Sequence, residues 1–482
     1  MNIKAITLNV GKALLVSALF MLLSVVVSIF YGVDTGFTPL LISCILTALV
    51  GFFPFIFVKN APIMSMKDGF VTIVLAWLLS FIFGMLPYII WGGEFTIINA
   101  WFESVSGYTT TGSTILNDIE GLPKSLLFWR SSTHFIGGLG VVVFLLLVLP
   151  QASPYRMKLT NMEMSSLSKD GYRYKSSKVL RIIVSVYLGF VVTSFLSLWA
   201  AGMSVFDAIN HAFSIAATGG FSTRNLSIAA YNSELINYIV LFFMIICAMH
   251  FGLLYSVLIT GSLRPLNNPV VKYYFGSIIV CSAVAAVALM TQGGYTSWGK
   301  AAMDSTFTVA SYMSTTGFAI CDNAMWPWLA GIMLILVSFH CGCSGSTSGG
   351  FKIDRIVITL KAIGHELKRK LHPTAVSPIR MSGQNLSDTS VGAVVMFIVL
   401  YVFIIFVSML LVMTTGSDAG TAFSGVVASV GSVGPGIGDL GCMDNYSAQP
   451  AMAKLIYTFD MFLGRVEIFP VLIVLSMIFK RR

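Results

Sequence analysis

Charge is scarce in this chain. Asp, Glu, Lys and Arg make up only 10% of the 482 residues, against 56% apolar residues, a balance that points away from a soluble domain and toward an integral membrane protein. Catalytic signatures are missing as well. There is no Gly-x-Ser-x-Gly, no Walker lysine motif and no His-Glu-x-x-His, so the chemistry of a membrane-embedded enzyme has no residues to carry it. The glycine-rich "GPGIG" at 434 does not lie between a strand and a helix, so the chain itself is expected to bind no nucleotide. The seven cysteines give no zinc pattern: Cys341 and Cys343 are one residue apart and the rest are scattered. Cys44, Cys247 and Cys281 read as apolar packing.

What the chain has instead is a series of apolar runs of about 20 residues, the length that crosses a bilayer as a helix. Ten spans are expected, at Ala13–Tyr31, Pro39–Val58, and near 69–91, 123–150, 176–201, 235–262, 273–292, 325–340, 389–414 and 453–479. The first lacks a small-residue cleavage site and runs into the second, which reads as a retained helix rather than a secretory signal. Lys and Arg counts orient the spans, because cationic loops stay in the cytoplasm. The loop 154–178 carries Arg156, Lys158, Lys169, Arg173, Lys175 and Lys178. The loop 352–388 carries Lys352, Arg355, Lys361, Lys368, Arg369, Lys370 and Arg380, and the chain ends in Lys480, Arg481 and Arg482. Both termini are therefore expected in the cytoplasm and the acidic loops outside. The net charge of +9 then belongs to the inner face, where it suits anionic lipid or an acidic partner; no aromatic-interleaved basic pattern suggests nucleic acid. Cys321 and Cys442 fall on the oxidising outer side, where a disulfide between them stays open.

Four stretches of the chain resemble one another: "TTTGST" at 109, "ATGGFST" at 217, "STTGFAI" at 314 and "SVGPGIG" at 432. They share Gly112, Gly220, Gly317 and Gly434, spaced by 108, 97 and 117 residues, and thirteen residues before each stands Asn99, Asp207, Asp304 or Thr421. All four are N-cap residue types. A capped helix of about ten residues is about 15 Å long, half a hydrocarbon core, so each unit reads as span, re-entrant half-helix, glycine loop, span. Extended backbone at membrane depth is tolerated only when buried or lining water. Four copies around an axis satisfy both conditions, with carbonyls that replace a cation's hydration shell and helix C-termini that direct negative dipole ends at the cavity below.

The stretches "FESVSGYTTTGST", "AFSIAATGGFST", "GCSGSTSGGFK", "HPTAV", "VGPGIG" and "FLGRVEIF" resemble the TrkH potassium-transport subunits of the Trk/Ktr/HKT superfamily, over essentially the whole chain. The resemblance implies an all-α polytopic membrane protein of the bacterial cytoplasmic membrane, with four tandem helix, pore-helix, filter-loop, helix repeats in pseudo-fourfold arrangement after two extra transmembrane helices. It also implies a homodimer and a cytosolic nucleotide-binding regulatory subunit of the TrkA kind. The units expected are residues 1–62 for the two added helices, then 63–155, 156–265, 266–380 and 381–482 for the four repeats. Potassium is then the transported ion, held by filter residues Thr110, Thr111, Gly112, Thr218, Gly219, Gly220, Thr315, Thr316, Gly317, Ser432, Val433 and Gly434. The repeats are unequal: "SVGPG" lacks the threonine, and the first three repeats have no Gly-x-Gly. A short filter is expected, passing potassium and rubidium and, more weakly, sodium.

"CGCSGSTSGGF", residues 341–351, interrupts the span that begins near Trp326. Its four glycines and four hydroxyl residues are poor material for a lipid-facing helix, so it is expected to unwind into a loop, with close helix packing as the alternative. The resembling family has an intramembrane gating loop here, which places Gly342, Ser344, Gly345, Ser346, Thr347, Ser348, Gly349 and Gly350 in the gate. The second spans also share Gly137, Gly252, Gly342 and Gly464, where bends at one depth are expected. Arg465 adjoins the last, and an ionisable group inside a span is a functional candidate by default. A family arginine matches it and contributes to the barrier; the alternative is a structural pair with Glu467 or Asp460. Glu103 either concentrates cations or is a buried structural carboxyl, Arg130 is expected to snorkel outward, and His134, His250 and His340 read as packing residues. The basic stretch "LKAIGHELKRKLHP" from Leu360 is the expected docking surface for the partner, or a lipid anchor. A proton- or sodium-coupled secondary transporter also uses broken helices, but usually shows two inverted halves rather than four units pointing one way.

Overall fold

The computed structural model describes residues 1–58, 64–148, 176–372, 378–381 and 384–479. The cationic residues Arg156 to Lys175, the terminal Lys480–Arg482 and Pro373–Val376 of "HPTAV" lie outside the described residues. Among the described residues the regular secondary structure is helical apart from one short antiparallel pairing of Arg380–Met381 with Gln384–Asn385, and the segments between helices are irregular.

Six helices are long and apolar enough to cross a membrane singly: Ile3–Phe30, Phe37–Phe57, Met66–Trp91, Leu180–Ala200, Pro269–Gln292 and Asp388–Met413. Two further helix pairs have the length and composition of a span but are broken by a sharp bend. Glu234–Cys247 meets Phe251–Thr260 at 103°, and Ala451–Arg465 meets Phe469–Phe479 at 109°. The Lys124–Val148 helix has 25 residues, and its backbone continues unbroken past Gly137. The Trp328–His340 helix has only 13 residues, about 20 Å at about 1.5 Å per residue, and the chain leaves it as an irregular loop. The expectation of four bent second spans is thus corrected: three are interrupted and the first is not.

Local chemistry marks two of the breaks. The His250 ring caps a new helix, its Nδ1 accepting from the Gly252 and Leu253 amides at 3.0 and 3.3 Å. Glu467 and Ile468 take left-handed backbone, with φ of 61° and 45°. Ile3–Phe30 and Phe37–Phe57 cross with Gly11 against Gly51, where a Cβ on Gly51 would stand 3.1 Å from the Gly11 carbonyl oxygen; small residues let the backbones approach.

Each of the four glycine segments follows a short helix: Ile97–Tyr108, Val205–Ala216, Trp298–Met313 and Ala419–Gly431. They start earlier than the sequence implies. Thr96 and Ser204 are the caps of the first two, accepting from the Asn99 and Asp207 amides at 3.3 and 3.0 Å. Asp418 caps the fourth, accepting from the Gly420 and Thr421 amides at 2.9 and 3.1 Å, and Ser297 precedes the third without a side-chain cap bond. Asn99, Asp207 and Thr421 therefore sit in the first helical turn, where polar and acidic side chains also suit the dipole, and Asp304 lies deeper in its helix. These side chains bond outward instead. Asn99 accepts from Lys454 at 3.0 Å, Asp207 from Thr223 at 2.7 Å and Asp304 from Tyr295 at 2.9 Å.

Candidate functional site

The four glycine segments share one backbone recipe. The short helix closes with a left-handed residue at Thr110, Thr218, Thr315 and Ser432, with φ between 52° and 58°. That conformation costs a non-glycine residue about 1–2 kcal/mol, and the next amide in each case returns to the helix: Thr111 to the Ser106 carbonyl, Gly219 to Ser214, Thr316 to Ser311 and Val433 to Ala428, at 2.8–3.0 Å. One residue further on, Gly112, Gly220, Gly317 and Gly434 have φ of 82°, 84°, 79° and 99°, a region glycine enters freely.

Those glycines meet in cyclic order. A Cβ on Gly112 would overlap the Gly219 carbonyl oxygen, and one on Gly220 would overlap that of Thr316. On Gly317 it would stand 2.7 Å from the Val433 carbonyl oxygen, and on Gly434 it would overlap that of Thr111, which closes the circle. The outer loops are tied in the same order. The Ile119 amide donates to Asn225 at 2.6 Å, Ala229 to the Ala319 carbonyl at 3.1 Å, Cys442 to Asn323 at 3.0 Å, and Tyr446 to the Thr114 carbonyl at 2.8 Å. Carbonyls just past the glycines are turned into the protein: Ser106 and Ser311 hydroxyls donate to those of Ser113 and Phe318 at 2.6 and 2.7 Å.

Loop 341–351 lies against this ring. The Thr347 hydroxyl donates to the Ala216 carbonyl at 3.1 Å and receives Thr218 Oγ1 at 3.4 Å, and the Gly349 amide donates to Thr315 Oγ1 at 3.0 Å. By contrast, the hydroxyls of Thr110 and Ser432 are buried with no hydrogen-bond partner among the described residues. Inside the loop, Ser346 bridges to Cys343 and Ser348, each at 2.7 Å. The Ser344 amide donates to Asp354 at 2.6 Å and the Phe251 amide to the Gly345 carbonyl at 3.1 Å. Gly345 and Gly350 have φ of 78° and 69°. Gly342 and Gly349 leave no room for a Cβ beside Ser348 and the Gly431 carbonyl.

Arg465 also reaches the loop. It is 4% exposed, donates to the carbonyls of Thr347 at 2.7 Å and Gly137 at 3.3 Å, and its Nε has no partner among the described residues. Neither Glu467 nor Asp460 pairs with it. Glu467 binds Lys352 and Arg355 at 3.1 and 2.8 Å, and Asp460 accepts from Ser408 at 2.7 Å. Arg130 does not snorkel: it is buried and bonded to Glu103. His134 stacks on Phe221 with ring centres 4.0 Å apart and bonds Ser214, and no group of three or more His, Cys, Asp or Glu side chains that could hold a metal ion occurs among the described residues. Cys321 and Cys442 are free thiols; burial pushes Cys442 up to about 12.

Two contacts were invisible in the sequence. Gly137 and Gly464 face the carbonyls of Tyr108 and Val430, four residues before their glycines, with no space for a Cβ. The Lys352, Arg355 and Glu467 cluster joins residues more than 110 positions apart, and only the left-handed backbone at Lys352 and Glu467 marks it as special.

Repeated membrane-length helices surrounding a buried ring of backbone and hydroxyl groups define a membrane transport protein. A family model described as "TrkH: Cation transport protein" matches residues 41–481, and the chain belongs to the TrkH family. It is 33% identical to the Trk system potassium uptake protein TrkH of Escherichia coli (strain K12), over 100% of both chains. It is 31% identical to TrkG of the same organism, over 100% of this chain and 99% of that one. The crystal structure of the potassium transporter TrkH from Vibrio parahaemolyticus superposes with a TM-score of 0.88 at 31% identity, covering 98% of this chain and 99% of that one. The protein is a multi-pass membrane protein of a potassium uptake family.

Proposed function

We propose that this chain is the potassium-translocating subunit of a bacterial uptake system, forming a gated pore with one filter glycine per repeat in pseudo-fourfold arrangement. The single observation that carries the reading is the closed circle of Gly112, Gly220, Gly317 and Gly434, each against the carbonyl of the next segment. Carbonyls within 110–112, 218–220, 315–317 and 432–434 coordinate potassium or rubidium, and sodium less well, because the ring is short. Loop 341–351 is the gate, and Arg465 places a positive charge beside it that opposes cations until the loop moves. Repeats at 63–155, 156–265, 266–380 and 381–482 follow two added helices at 1–62, and both termini lie in the cytoplasm of a chain that works as a homodimer. The Ile353–Leu371 helix, with Lys368, Arg369 and Lys370 exposed beside Leu360, Ile363 and Leu367, suits a membrane surface or the cytosolic nucleotide-binding subunit.

The test is rubidium flux into proteoliposomes, with Gly112→Ser and Arg465→Ala beside wild type, at zero and imposed proton gradient. The proposal expects flux down the rubidium gradient alone, selectivity lost in Gly112→Ser and flux raised in Arg465→Ala. Flux that requires the proton gradient rejects the pore in favour of a coupled transporter.

A further inference from the structure

The ring is backed by different chemistry in each segment, and one joint is held by an ion pair. Nine residues before the four glycines stand Glu103, His211, Thr308 and Gly425. Glu103 and Arg130 are 0% and 1% exposed, with Nε to Oε1 at 2.6 Å. The Glu103 carboxylate also accepts from the Thr114 hydroxyl at 3.0 and 3.1 Å and from the Ile115 amide at 3.2 Å, both just past Gly112. Arg130 Nη1 donates to the Ser222 carbonyl at 3.2 Å, and its guanidinium stands 3.9 Å from the ring centre of Phe221, the residue that follows Gly220. One pair therefore grips the outer ends of two neighbouring segments. His211 holds only its own segment, bonding the Ser222 hydroxyl at 2.9 Å, while Gly425 has no side chain at all.

Burying two charges is costly unless hydrogen bonds complete the site, and here the further bonds of both partners go to residues that abut the ring: Thr114 and Ile115 for Glu103, and Ser222 for Arg130. A carboxylate neutralised in this way cannot concentrate cations, so its use is geometric. A carbonyl held by a guanidinium, as that of Ser222 is, is also withheld from a passing ion. We infer that Glu103 and Arg130 are a positioning pair that sets the spacing of the filter at the joint between its first and second segments, and through it the preference for larger over smaller alkali cations. The inference rests on the potassium-pore reading.

The measurement is rubidium flux with sodium competition in proteoliposomes of wild type, Glu103→Gln, Arg130→Gln, the double variant and Glu103→Asp, with thermal stability read in parallel. The expected result is a rubidium to sodium ratio lowered by about tenfold in each single variant, the loss of roughly 1.4 kcal/mol of discrimination. The double variant is no worse than either single one, since the residues act as a unit, and Glu103→Asp recovers part of the ratio. Should the charge-removing variants not assemble, Thr114→Val decides: it keeps the pair, loses the Thr114 hydroxyl's bonds to Glu103 and from the Leu116 amide, and is expected to lower the ratio by about threefold. A wild-type ratio in folded variants, or a ratio that follows stability through Glu103→Asp, overturns the inference alone. Absence of rubidium flux in wild type overturns the pore reading and this inference with it.

Discussion

Arg465 Nη1 and the carbonyl of Thr347 are 2.7 Å apart, so the charged end of a broken span holds the tip of the loop that contacts the glycine ring. Arg465→Ala removes both the charge and the tether. Rubidium flux is expected to rise by at least about tenfold, in line with a lost charge-assisted hydrogen bond of roughly 1.5–3 kcal/mol. Arg465→Lys, which keeps the charge but not the forked donor, is expected to fall between. A folded Arg465→Ala protein with unchanged flux would remove the arginine from the barrier.

The ring predicts graded sensitivity. At Gly112 and Gly220 a Cβ overlaps a carbonyl oxygen outright, whereas at Gly317 that oxygen is 2.7 Å away and Pro435 Cδ 2.9 Å. Alanine at all three is strained by the left-handed backbone, but sodium exclusion is expected to suffer more at Gly112 and Gly220 than at Gly317. Equal losses in competition assays would contradict the geometry.

Glu467 joins Lys352, at the end of the loop, and Arg355, on the following helix, to the bend at 466–468. Glu467→Gln leaves two cations facing an uncharged amide and frees the loop's inner end. Basal flux is expected to rise several-fold, with a smaller response to the Arg465 substitution than in wild type, because both changes act on the same loop. Additive effects in the double variant would separate them.

Gly464 and Gly189 offer a paired test of packing. Gly464 faces the Val430 carbonyl with no room for a Cβ, while nothing stands within 4 Å of one on Gly189. Gly464→Ala is expected to cost at least about 1–3 kcal/mol, and Gly189→Ala to be neutral or stabilising by up to about 1 kcal/mol through helix propensity. Detergent-solubilised melting temperatures decide.

Much of this architecture was legible because membrane spans and glycine loops write themselves in composition and period. Gly112, Gly220, Gly317 and Gly434, and loop 341–351, stand where their residue types imply. The helix starts are not legible in the sequence because Thr96, Ser204 and Asp418 cap as well as the residues three positions later, and only the fold selects between them. The burial of Arg130 is not legible in the sequence for a different reason. Its partner Glu103 is 27 residues away on another helix, and no local pattern states that two such residues will meet.

Acid should loosen the outer rim at one identifiable point. Burial opposes the charged form of Asp34, but hydrogen bonds from Ser28, Ser125 and Gly36 outweigh it and hold the carboxyl below its usual range. A depressed folded value means stability that is present above the unfolded value, about 3.9, and lost as pH falls through the folded one. Asp34→Asn is expected to lower the melting temperature by a few degrees at neutral pH and to flatten its fall in acid. An unchanged acid limb would point to other carboxyls.

The hydroxyls beneath the ring divide unevenly. Those of Thr218 and Thr315 are engaged by loop 341–351 and those of Thr110 and Ser432 are not. With the loop seated, the inner rim is lopsided, two oxygens committed on one side and two uncommitted on the other. On the proposed reading of loop 341–351 as a gate, its withdrawal releases the contacts to Thr218 and Thr315 together, so the movement proposed to unblock the passage would also even out the surface an ion meets on leaving it.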